Sequence, residues 1–149
     1  MPIHFELVTP ERTLFREEVD EVTLPTADGE ITILPNHIPL VASLVAGVAH
    51  YRKGTQEEDI AVSGGFIEIQ AGSNLRVLAD TAERGHELNI SVIEDAKKRA
   101  EDVMKNTART DDTAYAAAAA GVKRELARYK VAQKHRKGSA NLPHDENPV

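Results

Sequence analysis

The sequence predicts an α+β protein, in which an N-terminal antiparallel β-sandwich is followed by a C-terminal antiparallel helical hairpin. Two patterns along the chain carry this prediction. Up to residue 88, short runs of alternating apolar and polar residues are separated by turn residues, as in half-buried strands. From residue 89, apolar residues recur at a spacing of three and four, which is typical of one face of a helix.

The predicted strands are short and evenly spaced, and no helix-length pattern interrupts them. This arrangement favours an antiparallel sandwich or barrel over a parallel sheet with crossover helices. The clearest strand is FIEIQA, in which Phe66, Ile67 and Ile69 mix with polar residues. The seven predicted strands cover residues 3–9, 19–25, 29–34, 47–53, 57–63, 66–71 and 74–79.

Turn residues lie between these strands. Asp28-Gly29 predicts a hairpin turn, and Ser63-Gly64-Gly65 predicts a tight turn between two strands. The serine superficially resembles a nucleophile turn, but it lacks the glycine two residues earlier that a nucleophile elbow needs. We therefore interpret Ser63 as a turn residue and not as a catalytic one.

The first predicted helix covers about residues 92–108. Ser91 and Glu94 have the spacing of a capping box, which predicts that Ser91 caps the helix. One apolar stripe follows at helical spacing and is expected to face the second helix. It consists of Ile93, Ala96, Ala100, Val103 and Met104.

The second predicted helix covers about residues 113–135 and is rich in alanine, which has the highest helix propensity. The short polar connection before it implies an antiparallel hairpin. Residues expected to face the first helix are Tyr115, Ala119, Val122, Leu126 and Tyr129. Because alanine buries little area, we expect the hairpin to be held weakly and to be able to leave its resting position.

These patterns divide the chain into three parts. We predict a β-sandwich domain over residues 1–88, a helical hairpin over 89–136 and a disordered tail over 137–149, where apolar residues are scarce. With 149 residues and no cysteine, the chain can build a core but no disulfide framework, zinc–thiolate site or iron–sulfur centre. No apolar run approaches the ~18–20 residues that cross a bilayer, and no export signal is visible, so we expect a cytoplasmic protein.

The net charge of −6 hides an asymmetry between the two parts of the chain. Residues 1–88 carry −9, whereas residues 113–137 carry +6. The basic residues of the second helix are expected on its outer faces, and they are Lys123, Arg124, Arg128, Lys130 and Lys134. Such a face is either simply solvated, or contacts an acidic protein partner, or binds nucleic acid, although it lacks the interleaved aromatic residues that stack bases.

No catalytic constellation is evident. His37 is a lone histidine in a loop between two prolines and has no second metal ligand at a suitable spacing. Asp28 and Glu30 flank a turn glycine and do not form an acid–base pair, and no glycine-rich phosphate loop is present. From the residues alone, we predict a non-catalytic adaptor without a cofactor or a metal.

Three segments of the sequence carry a specific resemblance to a known protein family. GEITILPNHIPLV (29–41), SGGFIEIQAGSNLRVLADTAERG (63–85) and AKKRAED (96–102) resemble the epsilon subunit of F-type ATP synthases, which corresponds to the mitochondrial delta subunit. The order and spacing of the segments agree over about residues 1–135. The resemblance implies two five-stranded sheets packed face to face, followed by the hairpin.

The resemblance also implies a function and partners. The body would sit in the central stalk against the gamma subunit and the ring of c subunits, with loops carrying Glu30 and His37 at this contact. The hairpin would extend into the catalytic head and block ATP hydrolysis, with the five basic residues meeting an acidic segment of the beta subunit. The protein would be a peripheral, non-catalytic subunit on the cytoplasmic face of the cell membrane, attached to it only through the complex.

Some members of the family bind ATP in the hairpin through an I/L-D-x-x-R-A motif. The aligned stretch carries Asn89 and Val92 in place of the aspartate and the arginine, so we expect no nucleotide to bind. The alternative to a rotor subunit is a free-standing adaptor whose basic hairpin binds nucleic acid. Salt-sensitive retention of nucleic acid would favour this alternative.

Overall fold

A computed structural model of the protein describes residues 2–107 and 111–140. Within these residues, eight strands are followed by one 3-10 turn, Gly85–Glu87, and by two helices, α1 (Ile90–Asn106) and α2 (Asp112–Ala140). The strands are β1 (Ile3–Val8), β2 (Thr13–Val19), β3 (Glu21–Thr26), β4 (Gly29–Ile33), β5 (Leu40–Leu44), β6 (Gly47–Lys53), β7 (Gln56–Gln70) and β8 (Asn74–Arg84).

The β-sandwich is built around two long strands that take part in both layers. The first half of β7 pairs with β6 and its second half pairs with β5, while β8 runs antiparallel beside almost all of β7. One layer has the order β2-β1-β8-β7-β5 and the other has the order β4-β3-β6-β7-β8, so that each contains five strands. All pairs are antiparallel except β1 with β8, which is parallel. The predicted sandwich followed by two helices is therefore confirmed.

Three predictions about the strands are corrected. Strands β2 and β5 were not among the seven predicted, and segments 57–63 and 66–71 form the single strand β7. The predicted turn at Ser63-Gly64-Gly65 is wrong, because Ser63 pairs with Thr81 and Gly65 with Ala79 within the β7–β8 ladder. Gly64 and Gly65 have φ angles of 27° and 146°, so glycine bends the strand here without ending it.

The core lies between the two layers and is formed by the alternate residues that point inward. Ile3, Phe5 and Leu7 of β1 are at most 1% exposed. Phe5 and Phe15 pack edge to face with their ring centres 4.9 Å apart, and Tyr51 lies 5.2 Å from Phe15. This aromatic cluster joins β1, β2 and β6, and so joins the two layers.

The helices begin and pack differently from the prediction. Asn89, and not Ser91, caps α1, because its side-chain oxygen accepts hydrogen bonds from the backbone N–H groups of Ser91 and Val92 at 3.0 and 3.4 Å. Ile93 is buried, but Val103, predicted on the same stripe, is 57% exposed. The helices α1 and α2 pack on each other, and the α2 helix continues to Ala140, four residues into the predicted tail. The remainder of that tail, residues 141–149, lies outside the described residues.

Within the part of the chain that the structure describes, neither helix is long and apolar enough to cross a membrane.

Candidate interaction surfaces

The sandwich exposes apolar side chains on the outer side of its β5–β7–β8 layer. Phe66 of β7 lies directly opposite Leu78 of β8, and these residues are 61% and 46% exposed. On the other side of Phe66, its partner is Ser43 of β5. Val41 lies two residues before Ser43, on the same face of the sheet, and is 71% exposed. We call Val41, Phe66 and Leu78 the outer apolar face. Exposed apolar surface that is contiguous across three strands is typical of a site for a protein partner.

The loop between β4 and β5 extends this apolar surface. Leu34 and Ile38 are both more than half exposed, and Leu40 begins β5 immediately after the loop. The loop is held in place, because the Asn36 N–H donates to Ser73 Oγ at 2.8 Å and Asn36 has a positive φ of 64°. It therefore presents Ile38 from a fixed backbone.

Sequence reasoning missed the residues of the outer apolar face, although a signal was present. In a half-buried strand, apolar residues alternate with polar ones, so two apolar neighbours cannot both face the core. Phe66 precedes the buried Ile67, and Leu78 lies between the buried Val77 and Ala79. These consecutive apolar residues indicate side chains that need a partner outside the sandwich.

The two residues predicted for subunit contact, Glu30 and His37, are both on the surface but are not on one loop. Glu30 is exposed in β4, so its predicted place in a loop is wrong, whereas His37 is in the β4–β5 loop as predicted. Glu30 comes before residues 31–33 of β4, and His37 comes after them. The Nδ1 atom of His37 lies 2.7 Å from the carbonyl oxygen of Ile38, and because a carbonyl only accepts, Nδ1 is the donor.

A charged cluster fixes the end of β8 to the sandwich. The Arg84 guanidinium donates to both carboxylate oxygens of Glu58 at 2.5 and 2.8 Å, and the Tyr51 hydroxyl donates to Glu58 at 2.6 Å. Burial alone would raise the pKa of Glu58, but the hydrogen bonds from Arg84 and Tyr51 outweigh it and lower this pKa. Burial and the Glu58 carboxylate both raise the pKa of Tyr51. Glu58 is therefore held as a carboxylate.

The 3-10 turn that follows is also anchored to the sandwich. The Glu87 carboxylate accepts hydrogen bonds from the Arg84 N–H and from the Arg12 guanidinium, both at 2.9 Å. Burial would raise the pKa of Glu87, but these hydrogen bonds lower it. Leu88 alone thus separates the anchored turn from Asn89, the cap of α1.

Helix α2 packs against β6, β7 and the 3-10 turn, and its residues Arg128 and Lys134 form ion pairs with the sandwich. Arg128 Nε lies 2.8 Å from Glu83 Oε1, and Arg128 Nη2 donates a hydrogen bond to Glu83 Oε2 at 3.0 Å. Lys134 Nζ lies 2.8 Å from Asp59 Oδ2, while the other Asp59 oxygen is 2.5 Å from His50 Nδ1. The hairpin is therefore held to the sandwich by charge as well as by apolar contact.

The prediction that all five basic residues lie on outer faces is wrong for one of them, Arg128. Arg128 is half-buried, and it also donates to Glu125, which is only 4% exposed, at 2.8 Å. Burial would lower the pKa of Arg128, but its hydrogen bonds to Glu83 and Glu125 raise it. Lys123, Arg124, Lys130 and Lys134 are exposed, as predicted, although Lys134 also contacts Asp59.

Gly85 permits a close approach between α2 and the 3-10 turn. A Cβ atom at this position would lie 2.8 Å from the Cβ atom of His135 in α2, closer than such atoms approach each other. We expect Gly85→Ala to weaken the docking of α2 by about 1–3 kcal/mol, because either the helix or the turn must shift. Hydrogen exchange of the α2 amides should become faster while that of β7 stays unchanged. Gly121→Ala, where nothing lies within 4 Å of the added atom, is the control and should not accelerate exchange.

Comparison with known proteins identifies the family. Residues 2–85 match the family described as "ATP synthase, Delta/Epsilon chain, beta-sandwich domain". The chain belongs to this family. Its epsilon-chain relatives also match beyond the sandwich, so that the likeness includes the hairpin.

For two of these relatives, the match covers almost their whole length. The chain is 43% identical to the ATP synthase epsilon chain of Dehalococcoides mccartyi over 135 residues, covering 91% of this chain and 95% of the relative. It is 40% identical to the ATP synthase epsilon chain of Herpetosiphon aurantiacus over 136 residues, covering 91% and 98%. The resemblance drawn from the sequence is therefore confirmed.

Solved structures share the epsilon-chain fold at low sequence identity. A chain in the Euglena gracilis mitochondrial ATP synthase structure of OSCP, F1 and c-ring aligns with a TM-score of 0.73 and 16% identity, covering 91% of this chain and 81% of that one. A chain in the Tetrahymena thermophila mitochondrial ATP synthase structure of central stalk and c-ring has a TM-score of 0.56 and 15% identity, covering 91% and 96%. At these identities, the likeness supports the fold.

Proposed function

We propose that the chain is the central-stalk subunit of a proton-translocating ATP synthase, where it couples the catalytic head to the c ring and has no catalytic residue of its own. The outer apolar face is the observation that carries this proposal, because Val41, Phe66 and Leu78 need a protein partner to cover them. The gamma subunit and the c ring are the partners proposed for this face and the adjoining β4–β5 loop. The protein then lies at the cytoplasmic face of the cell membrane as a peripheral part of the complex.

The hairpin is proposed to inhibit ATP hydrolysis by extending from the sandwich toward the beta subunit. The buried apolar residues of the described part of α2 are small, namely Ala118, Ala127, Val131 and Ala132, so that little apolar area holds the helix in place. Lys123, Arg124 and Lys130 are already exposed, and Arg128 and Lys134 lose their partners on the sandwich on extension. Each exposed ion pair with an acidic partner stabilises by only about 0.2–1 kcal/mol, so inhibition depends on several of the five residues together.

Deletion of the hairpin tests this inhibitory function. We expect a chain that ends at Leu88 to assemble and to support ATP synthesis, because none of the described hairpin residues belongs to the core of the sandwich. ATP hydrolysis by the complex should rise several-fold. Replacement of the five basic residues by alanine should raise hydrolysis in part, and added salt should weaken the inhibition of the parent complex. Equal hydrolysis by the deleted and parent complexes would show that the hairpin is not an inhibitor.

Cysteine cross-linking tests the proposed contacts of Glu30 and His37. The chain has no cysteine of its own, so each introduced thiol is unique in it. We expect Glu30→Cys and His37→Cys to cross-link to the c ring or the gamma subunit in the assembled complex, since both residues are on the surface. Glu11→Cys, in the β1–β2 loop, is the control. Cross-linking only from position 11 would contradict the proposed orientation.

A further inference from the structure

The basic side of α2 has acidic partners within the chain itself. Among the five cations proposed to meet the beta subunit, Arg128 contacts Glu83 of β8 and Lys134 contacts Asp59 of β7, each at 2.8 Å. Both carboxylates belong to the sandwich and are partly shielded, with side chains 29% and 12% exposed. The sandwich thus presents to α2 the same chemistry that an acidic protein partner would present.

We propose that Glu83 and Asp59 are an internal acidic receptor for α2, which competes with an acidic protein segment for Arg128 and Lys134. The inference deepens the proposed function and rests on it for the identity of the outside partner. One guanidinium or ammonium group cannot make these close contacts with both receptors at once. The docked hairpin therefore withholds two of its five cations until it leaves the sandwich.

The neighbouring contacts support a receptor of fixed geometry. Arg84, the residue after Glu83, is held by Glu58 and Tyr51, which fixes the end of β8. Asp59 is held from its other side by His50. A preorganised receptor loses little side-chain freedom when it binds, so its bridges stabilise the docked state more than flexible surface pairs do.

Competition predicts opposite effects for the two sides of the same ion pairs. Neutralising the receptor keeps all five cations on α2 and removes the sandwich partners of Arg128 and Lys134, so it should strengthen binding of an acidic partner. Neutralising Arg128 and Lys134 removes the cations themselves and should weaken that binding. A contact that only stabilises the fold would not produce this reversal of sign.

The test uses the full isolated chain and a short oligoglutamate peptide at low ionic strength. For Glu83→Gln with Asp59→Asn, we expect hydrogen exchange in α2 about three- to tenfold faster than in the parent, and a similarly tighter Kd for the peptide. Arg128→Gln with Lys134→Gln should also release the helix but should bind the peptide more weakly than the parent. Glu11→Gln with Glu57→Gln removes the same charge from exposed positions and is the matched control.

A steric variant separates release from charge. Gly85→Ala keeps every charged residue, and it should both accelerate exchange in α2 and tighten peptide binding. If the Glu83/Asp59 variant and the matched control bind the peptide equally, or if α2 exchange does not change, the receptor does not exist. If Gly85→Ala releases α2 without tightening binding, docking does not compete with the acidic partner.

The peptide and exchange measurements use the isolated chain, so their outcomes do not depend on assembly into the complex. Failure of the peptide and exchange measurements overturns the internal receptor and leaves the proposed place in ATP synthase intact. Unchanged hydrolysis after deletion of the hairpin overturns the inhibitory function, and the competition measured in the isolated chain stands.

Discussion

Replacing Gly65 by alanine is expected to lower the free energy of unfolding of the sandwich by about 3–5 kcal/mol. An added Cβ atom would lie 1.9 Å from the carbonyl oxygen of Leu78 and 2.9 Å from its carbonyl carbon. These are backbone atoms of β8, so no rotation of a side chain can relieve the overlap. The φ of 146° at Gly65 is also unfavourable for any residue with a Cβ atom.

Urea unfolding of the purified variant measures this loss. Gly54→Ala is the control, because Gly54 has a positive φ of 61° but nothing lies within 4 Å of its added atom. Gly54→Ala should lower the free energy of unfolding by only about 1–2 kcal/mol, which is the cost of a Cβ atom at a positive φ. Equal losses for the two variants would show that the β7–β8 approach at Gly65 is not tight.

Phe66→Asp combined with Leu78→Thr is expected to weaken incorporation of the chain into the ATP synthase complex by about 30- to 1000-fold, which corresponds to about 2–4 kcal/mol. Phe66 and Leu78 face each other on the outer apolar face, and a large aromatic residue at the centre of an interface contributes strongly to binding. An aspartate there would be buried without a partner. Because both side chains are exposed in the free chain, its stability should change little.

Binding of the purified variant to a complex depleted of this subunit is the measurement. Val103→Asp is the matched control, since Val103 is as exposed as Phe66 but lies on α1. The control should retain assembly. Parent-like affinity of the Phe66/Leu78 variant would show that the outer apolar face is not the docking surface.

The fold class could be predicted from the sequence because it depends on local periodicity. Alternation indicates strands and a spacing of three and four indicates helices wherever one side is buried. The long β7 could not be predicted in the same way. Ser63-Gly64-Gly65 has the composition of a turn, and only the pairing with β8, up to 18 residues along the chain, keeps these residues in a strand.

The partners of the candidate surfaces were harder to predict than their residue types. The sequence shows that Arg128 is basic and at helical spacing from other cations, but its partner Glu83 is 45 residues away. Only the packing of α2 on β7 and β6 brings them together and turns a predicted outward residue inward. The capping role of Asn89 could not be recognised from the sequence either, because Ser91 and Glu94 have the spacing of a capping box two residues later.

The continuity of β7 and β8 has a mechanical consequence. Strands of 15 and 11 residues belong to both layers, so along them the two layers are joined by continuous backbone. A twisting force applied to one face of such a body reaches the opposite face through a single hydrogen-bonded ladder, and not through side-chain packing alone. The sandwich is therefore suited to transmit torque as one stiff elastic element, to which the hairpin is joined through Leu88.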